Sequence, residues 1–239
     1  MGREFEAVNE VELDGVTPEQ VWQAIATGPG IDSWFMGRNE VEPGVAVRSA
    51  FGGYQPTHPI TAWEPGEHLA YGGEKAPDGR FVAYEFLVEG RDRGSTVLRM
   101  VTSGFLPGDD WEDEYEAMLA GGEMFWATLV QYLRHFAGRA ATPVTAFGPP
   151  VADWAATWTA LGRALGLDRP AETGDRVRLD GADGVVYFAN AQTVGVRAED
   201  ALYRFFRGAQ GGLTAMHHFF TPVDADTERV WASWIGDLS

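Results

Sequence analysis

Residues 4 to 14, EFEAVNEVELD, alternate strictly: Glu4, Glu6, Glu10, Glu12 and Asp14 take even positions, and Phe5, Ala7, Val11 and Leu13 odd ones. A period of two is that of a strand with one wet and one covered face. The acids then face water, with the apolar side chains inward beside Asn9. An acidic ladder could instead hold a metal, but same-face carboxylates two residues apart repel one another into solvent. Thr17-Pro18-Glu19-Gln20 has the form of a helix start: a hydroxyl cap, a proline whose missing N–H does no harm, and a glutamine placed to reach back. That helix runs through Val21, Trp22 and Ile25 until Gly28-Pro29-Gly30 stops it, and a short turn over 31–35 follows. Strand signals cover 45–51, 59–63, 69–74, 80–89 and 95–102, separated by Gly53, Pro65-Gly66, Pro77-Asp78-Gly79 and Asp92-Arg93-Gly94. They predict an antiparallel meander. Asp109 and Asp110 favour a helix start, and Trp111, Tyr115, Met118, Gly122, Phe125, Leu129, Leu133 and Phe136 then recur every three or four positions, predicting one long helix.

Residues 138–150, GRAATPVTAFGPP, read as a connector of small residues and prolines. Beyond it the order restarts. Val151, Trp154, Trp158, Leu161 and Leu165 form a helical stripe closed by Gly166, strand-like runs follow at 176–179, 185–190, 193–197, 201–206 and 213–220, and a last helix holds Val230, Trp231, Trp234 and Leu238. Short words recur as well: Gly44-x-x-Val47-Arg48 against Gly174-x-x-Val177-Arg178, and Phe105-x-Pro107 against Phe220-x-Pro222. The expected organisation is a domain over 1–137, a linker over 138–150 and a second, reduced domain over 151–239 that lacks an obvious first strand. The alternative is one α+β domain with an unrelated extension.

Composition narrows the function classes. Eighteen Lys plus Arg against thirty-five Asp plus Glu give a formal charge of -17, which repels phosphate backbones and anionic headgroups, so neither nucleic acid nor a membrane surface is an expected partner. The absence of cysteine excludes disulfides, thiolate nucleophiles and thiolate metal sites. Met1 runs directly into the first strand without a basic and apolar leader, which makes a cytoplasmic protein the expectation.

The order strand, two short helices, strand meander and long helix, together with Thr17-Pro18-Glu19-Gln20-Val21-Trp22, Trp34-Phe35, ITAWEPGEHLAY over 60–71, the strand pair YEFLVEG and GSTVLRMVTSGF, and the helix WEDEYEAMLAGGEMFWATLVQYL, resembles the SRPBCC or START-like superfamily. Within it, the similarity is to the family named for the carboxy-terminal domain of the activator of the heat-shock protein 90 ATPase. The resemblance covers the first 137 residues, and the second half looks like a reduced relative. It implies an α+β helix-grip fold, in which a curved antiparallel sheet wraps the long helix and leaves an apolar pocket between them. Trp34, Phe51, Trp63, Tyr71, Tyr84, Phe86, Met100, Phe125 and Trp126 belong to elements that would bound that pocket. Strand phase turns only alternate residues inward, and Phe51 and Trp126 are equally readable as core. In the eukaryotic activator a chaperone-binding domain precedes this unit, whereas here the first strand starts at residue 3.

No catalytic constellation is legible. His58, His68, His135, His217 and His218 have no metal-ligand spacing, and the adjacent pair on a strand leaves by opposite faces. His58 and His68, near strand ends, could do acid–base work at a pocket mouth, but neither has a nameable partner. Gly52-Gly53 and Gly72-Gly73 end strands rather than cradle phosphates, and Gly121-Gly122 within the long helix would permit a bend or a close approach of the sheet. The expectation is therefore a binding module for a small hydrophobic or amphipathic ligand, without cofactor or metal. The alternatives are a cyclase- or dehydratase-type enzyme using the same pocket, and a chaperone-interacting regulator.

Overall fold

The structure, a computed structural model, describes residues 2–238 apart from 52, 54, 93, 109, 110, 209 and 210, with the backbone alone at 113, 114 and 117. The chain divides into two compact units, Met1–Ala140 and Ala141–Ser239.

In the first unit, β1 (Arg3–Asp14) leads into α1 (Pro18–Ala26) and the single turn α2 (Gly28–Ile31). The capping box forms as its residues predict: the Gln20 backbone N–H donates to Thr17 Oγ1 at 3.3 Å, and the Thr17 N–H donates to Gln20 Oε1 at 2.9 Å. Between the helices Gly30 lies so close to the Gln23 carbonyl that a Cβ would fall 1.9 Å from its oxygen, so any larger residue would push α2 off α1. The strands β2 (Arg38–Glu42), β3 (Ala46–Ala50), β4 (Thr57–Glu64), β5 (His68–Gly72), β6 (Phe81–Arg91) and β7 (Ser95–Leu106) then form a meander. With β1 beside β7, the seven-stranded antiparallel sheet runs β1-β7-β6-β5-β4-β3-β2. The acids of β1 are exposed, while Phe5, Ala7, Asn9 and Val11 are half-buried and Leu13 is fully buried.

The covering helix is α3 (Trp111–Phe136), which crosses β1 and β7 and meets α1. Asp109 and Asp110, expected to lead it, lie outside the described residues, as does Gly52. The second half of α3 is anchored by Met124, Leu129, Leu133 and Phe136, all buried. In its first half Tyr115 meets Phe5 with ring centroids 5.4 Å apart, while a Cβ built on Gly121 or Gly122 meets nothing within 4 Å. Of the two roles open to these glycines, a bend or a close approach of the sheet, the close approach is not made among the described residues.

The second unit corrects the connector. Residues Thr142–Pro150 form β8, an edge strand paired with β13 (Gly212–Phe219), in which Val144 and Ala146 point into the core. Prolines are compatible with an edge strand because one side of its backbone has no ladder to complete. A strand so rich in proline and small residues has the composition of a linker. After β8 come α4 (Trp154–Ala164), β9 (Arg176–Leu179), β10 (Ala182–Ala189), β11 (Thr193–Arg197), β12 (Ala201–Arg207) and β13, and then α5 (Thr227–Gly236). The sheet order is β8-β13-β12-β11-β10-β9, again with the first strand beside the last. Trp231 and Ile235 of α5 close a core that includes Tyr203, Phe205 and Leu161.

The first unit also holds a strand that the sequence pattern did not announce. In β2 the buried position is Asn39, 6% exposed, so the inward side carries an amide where alternation looks for an apolar residue.

Candidate functional site

Across β4, β5 and β6 the register sets His58, Tyr71 and Tyr84 on the sheet face that carries the core. Val47, buried in β3, pairs with His58; Tyr71 pairs with Tyr84; and Tyr84 pairs with Thr102 of β7. The three rings gather, with centroid separations of 6.1 Å for His58 to Tyr71, 6.4 Å for His58 to Tyr84 and 5.4 Å for Tyr71 to Tyr84. They form one wall of a cavity of about 140 Å³. Ile31, Phe35 and Met36 close it from α2 and the turn after it, and Asn39, Ser49, Phe51 and Val82 complete much of the remaining lining. None of the described lining residues belongs to α3. The hollow expected from the sequence lies between the sheet and the long helix; this cavity lies instead between the sheet and α2, toward β2 to β6. It touches α3 indirectly, through Phe35, whose ring packs on Phe125 at 4.5 Å.

The polar end of the cavity is built by a buried network. The Asn39 backbone N–H and its Nδ2 both donate to Asp32 Oδ1, at 2.7 and 3.0 Å; Nδ2 also donates to the Met36 carbonyl at 3.1 Å; and Ser49 Oγ donates to Asn39 Oδ1 at 2.6 Å. Burial pushes the Asp32 carboxyl up from the usual range, against the opposing pull of Asn39 and Arg38. The ring wall behaves differently. His58 and the Tyr71 hydroxyl make no hydrogen bond among the described residues. Burial lowers the His58 pKa, which favours the neutral ring, and raises that of Tyr71, which keeps the phenol protonated. A neutral imidazole and a phenolic O–H inside an apolar lining can orient a ligand, and the imidazole can accept a proton from it.

No family model matches the chain, and no curated protein matches it. Solved structures resemble it at TM-scores below 0.5. A protein of Mesorhizobium loti is 26% identical, with 54% of this chain and 96% of that one covered at a TM-score of 0.45. The Aha1 dimer from Colwellia psychrerythraea is 18% identical over 54% of this chain and 96% of its own, at 0.44. DynU16, from the dynemicin biosynthetic locus, is 17% identical over 98% of this chain and 96% of its own, also at 0.44. The chain is α+β, built on antiparallel sheets compatible with a helix-grip fold.

Of the aromatic and sulfur side chains expected to bound the pocket, Phe51, Tyr71 and Tyr84 line the cavity. Trp34 stands behind it, 2% exposed, its Nε1–H donating to the Ala24 carbonyl at 2.9 Å. Phe86 and Met100 are buried and cross-strand partners of each other, one layer along the sheet, with Phe86 stacked on Tyr71 at 6.1 Å. Trp63 packs edge-on against Trp22 at 5.0 Å, and Trp126 is half-exposed on α3. The sequence pattern passed over Asn39, Ser49 and Val82 and left His58 without partners. The signal available for His58 was its phase: it stands opposite an apolar Val47, on the inward side.

The other histidines are placed otherwise. His68 Nε2 lies 2.8 Å from Glu85 Oε1, and its neighbour across the ladder, Leu87, is exposed. His217 and His218 do leave β13 by opposite faces: His217 enters the aromatic core beside Trp231 at 4.2 Å, and His218 Nε2 lies 2.6 Å from Arg204 Nη2. The second unit also carries an open cleft of about 360 Å³ in which Asp180, Asp224 and Asp226 stand near Phe219, Trp231 and Trp234. Among the described residues no group of three His, Cys, Asp or Glu side chains could hold a metal, and no helix is long and apolar enough to cross a membrane.

Proposed function

We propose that the first unit binds a small hydrophobic or amphipathic molecule, whose ring-sized end enters the cavity between the sheet and α2. The observation that carries this reading is the Tyr71 hydroxyl and the His58 ring, set without hydrogen-bond partners among the described residues in the wall of an otherwise largely apolar hollow. Buried polar groups are ordinarily satisfied, and a ligand or water would satisfy these. The volume limits the guest: about 140 Å³ is close to the roughly 150 Å³ cavity that holds benzene, and below the roughly 300 Å³ at which drug-sized pockets begin. A larger ligand would place only its end inside. On this reading the nine residues expected from the sequence divide into a contacting set, Phe51, Tyr71 and Tyr84, and a supporting set, Trp34, Trp63, Phe86, Met100, Phe125 and Trp126.

The resemblance to the START-like superfamily and an internal duplication belong to the same proposal. Gly44-x-x-Val47-Arg48 and Gly174-x-x-Val177-Arg178 enter β3 and β9, each the fifth strand counted back from the last, and each with its valine buried. Counted that way, β8 corresponds to β1 and α5 to α3, while β2 has no counterpart, which is the reduction. A second reading is an enzyme of the cyclase or dehydratase type, favoured by His58: a half-buried imidazole held neutral at the wall of a ligand-sized cavity is a competent proton acceptor.

Ligand-observed NMR with toluene tests the binding reading, together with native mass spectrometry of protein purified from cells. Toluene is expected to bind, and Val82→Phe, which places a ring in the cavity, to abolish that binding while the fold melts cooperatively. Absence of binding of toluene and of its hydroxylated counterpart phenol alike to the parent chain would count against the proposal.

A further inference from the structure

The described side chains lining the cavity include no Lys, Arg, Asp or Glu. Its titratable groups are His58 from β4, Tyr71 from β5 and Tyr84 from β6. Asp32 lies behind the lining and is engaged by Asn39, whose amide in turn is engaged by Asp32, Met36 and Ser49. A carboxylate or phosphate entering here would find no cation, and an ammonium no carboxylate, so an ionic ligand would lose its hydration without replacement. A purely apolar ring would leave the His58 nitrogens and the Tyr71 hydroxyl unsatisfied. The groups on offer are complementary to each other: a neutral imidazole presents one lone pair, and a phenol presents one O–H. A hydroxyl group can use both at once, donating to the first and accepting from the second.

We propose that the ligand is neutral and carries a hydroxyl on a flat ring, a phenol or a ring enol, with its O–H donated to an imidazole nitrogen of His58 and its oxygen accepting from the Tyr71 hydroxyl. This rests on the ligand-binding reading of the first unit. The cavity volume matches one six-membered ring with one such substituent. His58 and Tyr71 are thus the specificity-determining residues, and the apolar lining from Ile31, Phe35, Val47 and Val82 supplies affinity that does not discriminate among rings.

The experiment compares phenol, toluene and benzoate on the full chain by ligand-observed NMR at about pH 7.5, with the His58 ring nitrogens followed by ¹⁵N shifts. Phenol is expected to bind at least about tenfold more tightly than toluene, as two added hydrogen bonds imply, with benzoate the weakest. The His58 nitrogens should shift with phenol and not with toluene. Lowering the pH through the titration of His58 should weaken phenol and leave toluene unchanged, because an imidazolium has no lone pair to accept the ligand proton. His58→Leu should bring the phenol-to-toluene ratio to within about threefold. Equal binding of phenol and toluene would overturn this inference and leave the cavity reading standing. Tightest binding of benzoate would overturn the neutral-ligand assignment. Failure of all three to bind would remove the cavity reading, and this inference with it.

Discussion

Neighbouring histidines in β13 carry the same side chain into opposite surroundings. His217 sits among Tyr203, Phe205, Phe219 and Trp231, and its Nδ1 accepts the Arg204 backbone N–H at 3.2 Å. The proton of the neutral ring is therefore on Nε2, which has no hydrogen-bond partner among the described residues and lies in an aromatic cage. Burial first, and then the nearby Arg204 charge, pull the His217 pKa down to about 3. The folded value is below the unfolded 6.5, so on acidification the unfolded chain takes up the proton first. The stability associated with His217 is complete above pH 6.5 and is lost as the pH falls from there toward 3, at about 1.4 kcal/mol per unit. By pH 5 the loss is about 2 kcal/mol. Urea unfolding of the full chain at pH 7.5 and pH 5 should show it, and His217→Phe should flatten the dependence. His58, shifted in the same direction, keeps the slope from vanishing. Parallel slopes for parent and variant would show that His217 is not the group responsible. Adjacency and strand phase already put one of the pair inward, but which ring met aromatics and which met Arg204 depended on the elements packed against β13.

At the scale of single elements, α3 has an unused stabilisation in its sheet-side row. Gly122 stands seven residues after Tyr115, which packs on Phe5, and seven before Leu129, which is fully buried, so it shares their face. Yet a Cβ there meets nothing within 4 Å. Gly122→Ala should therefore stabilise the chain by about 0.5–1 kcal/mol through helix propensity alone, without a steric cost, as a raised urea midpoint would report. A destabilised variant would show that the sheet does close on this turn. The periodic elements were legible: β1 from strict alternation, α1 from its capping box, α3 from its stripe. The two that escaped did so for opposite reasons. β2 turns an amide inward, so its covered face did not look apolar, and β8 is written in prolines that only an edge position makes compatible with pairing.

For the molecule as a whole, the charge of -17 is a source of self-repulsion that mobile ions screen. Raising the salt from about 10 mM to about 300 mM, which shortens the screening length from about 30 Å to well under 10 Å, should raise the Tm by a few degrees at pH 7.5. An unchanged or lower Tm would mean that the acidic faces are compensated locally. The excess of acid, the wet face of β1 and the order of the periodic helices and strands, β2 and β8 apart, follow from the sequence by itself, because each depends on how single side chains partition between water and a covered face. The cavity does not follow from it. His58, Tyr71 and Tyr84 are thirteen residues apart in successive strands, and they converge because the register of β3 to β6, the shift in β4 between Ile60 and Ala62, and the seat of α2 bring those particular positions to one wall. A period of two says which residues point inward; only the packing of sheet against helix decides which of them meet a neighbour and which meet empty space.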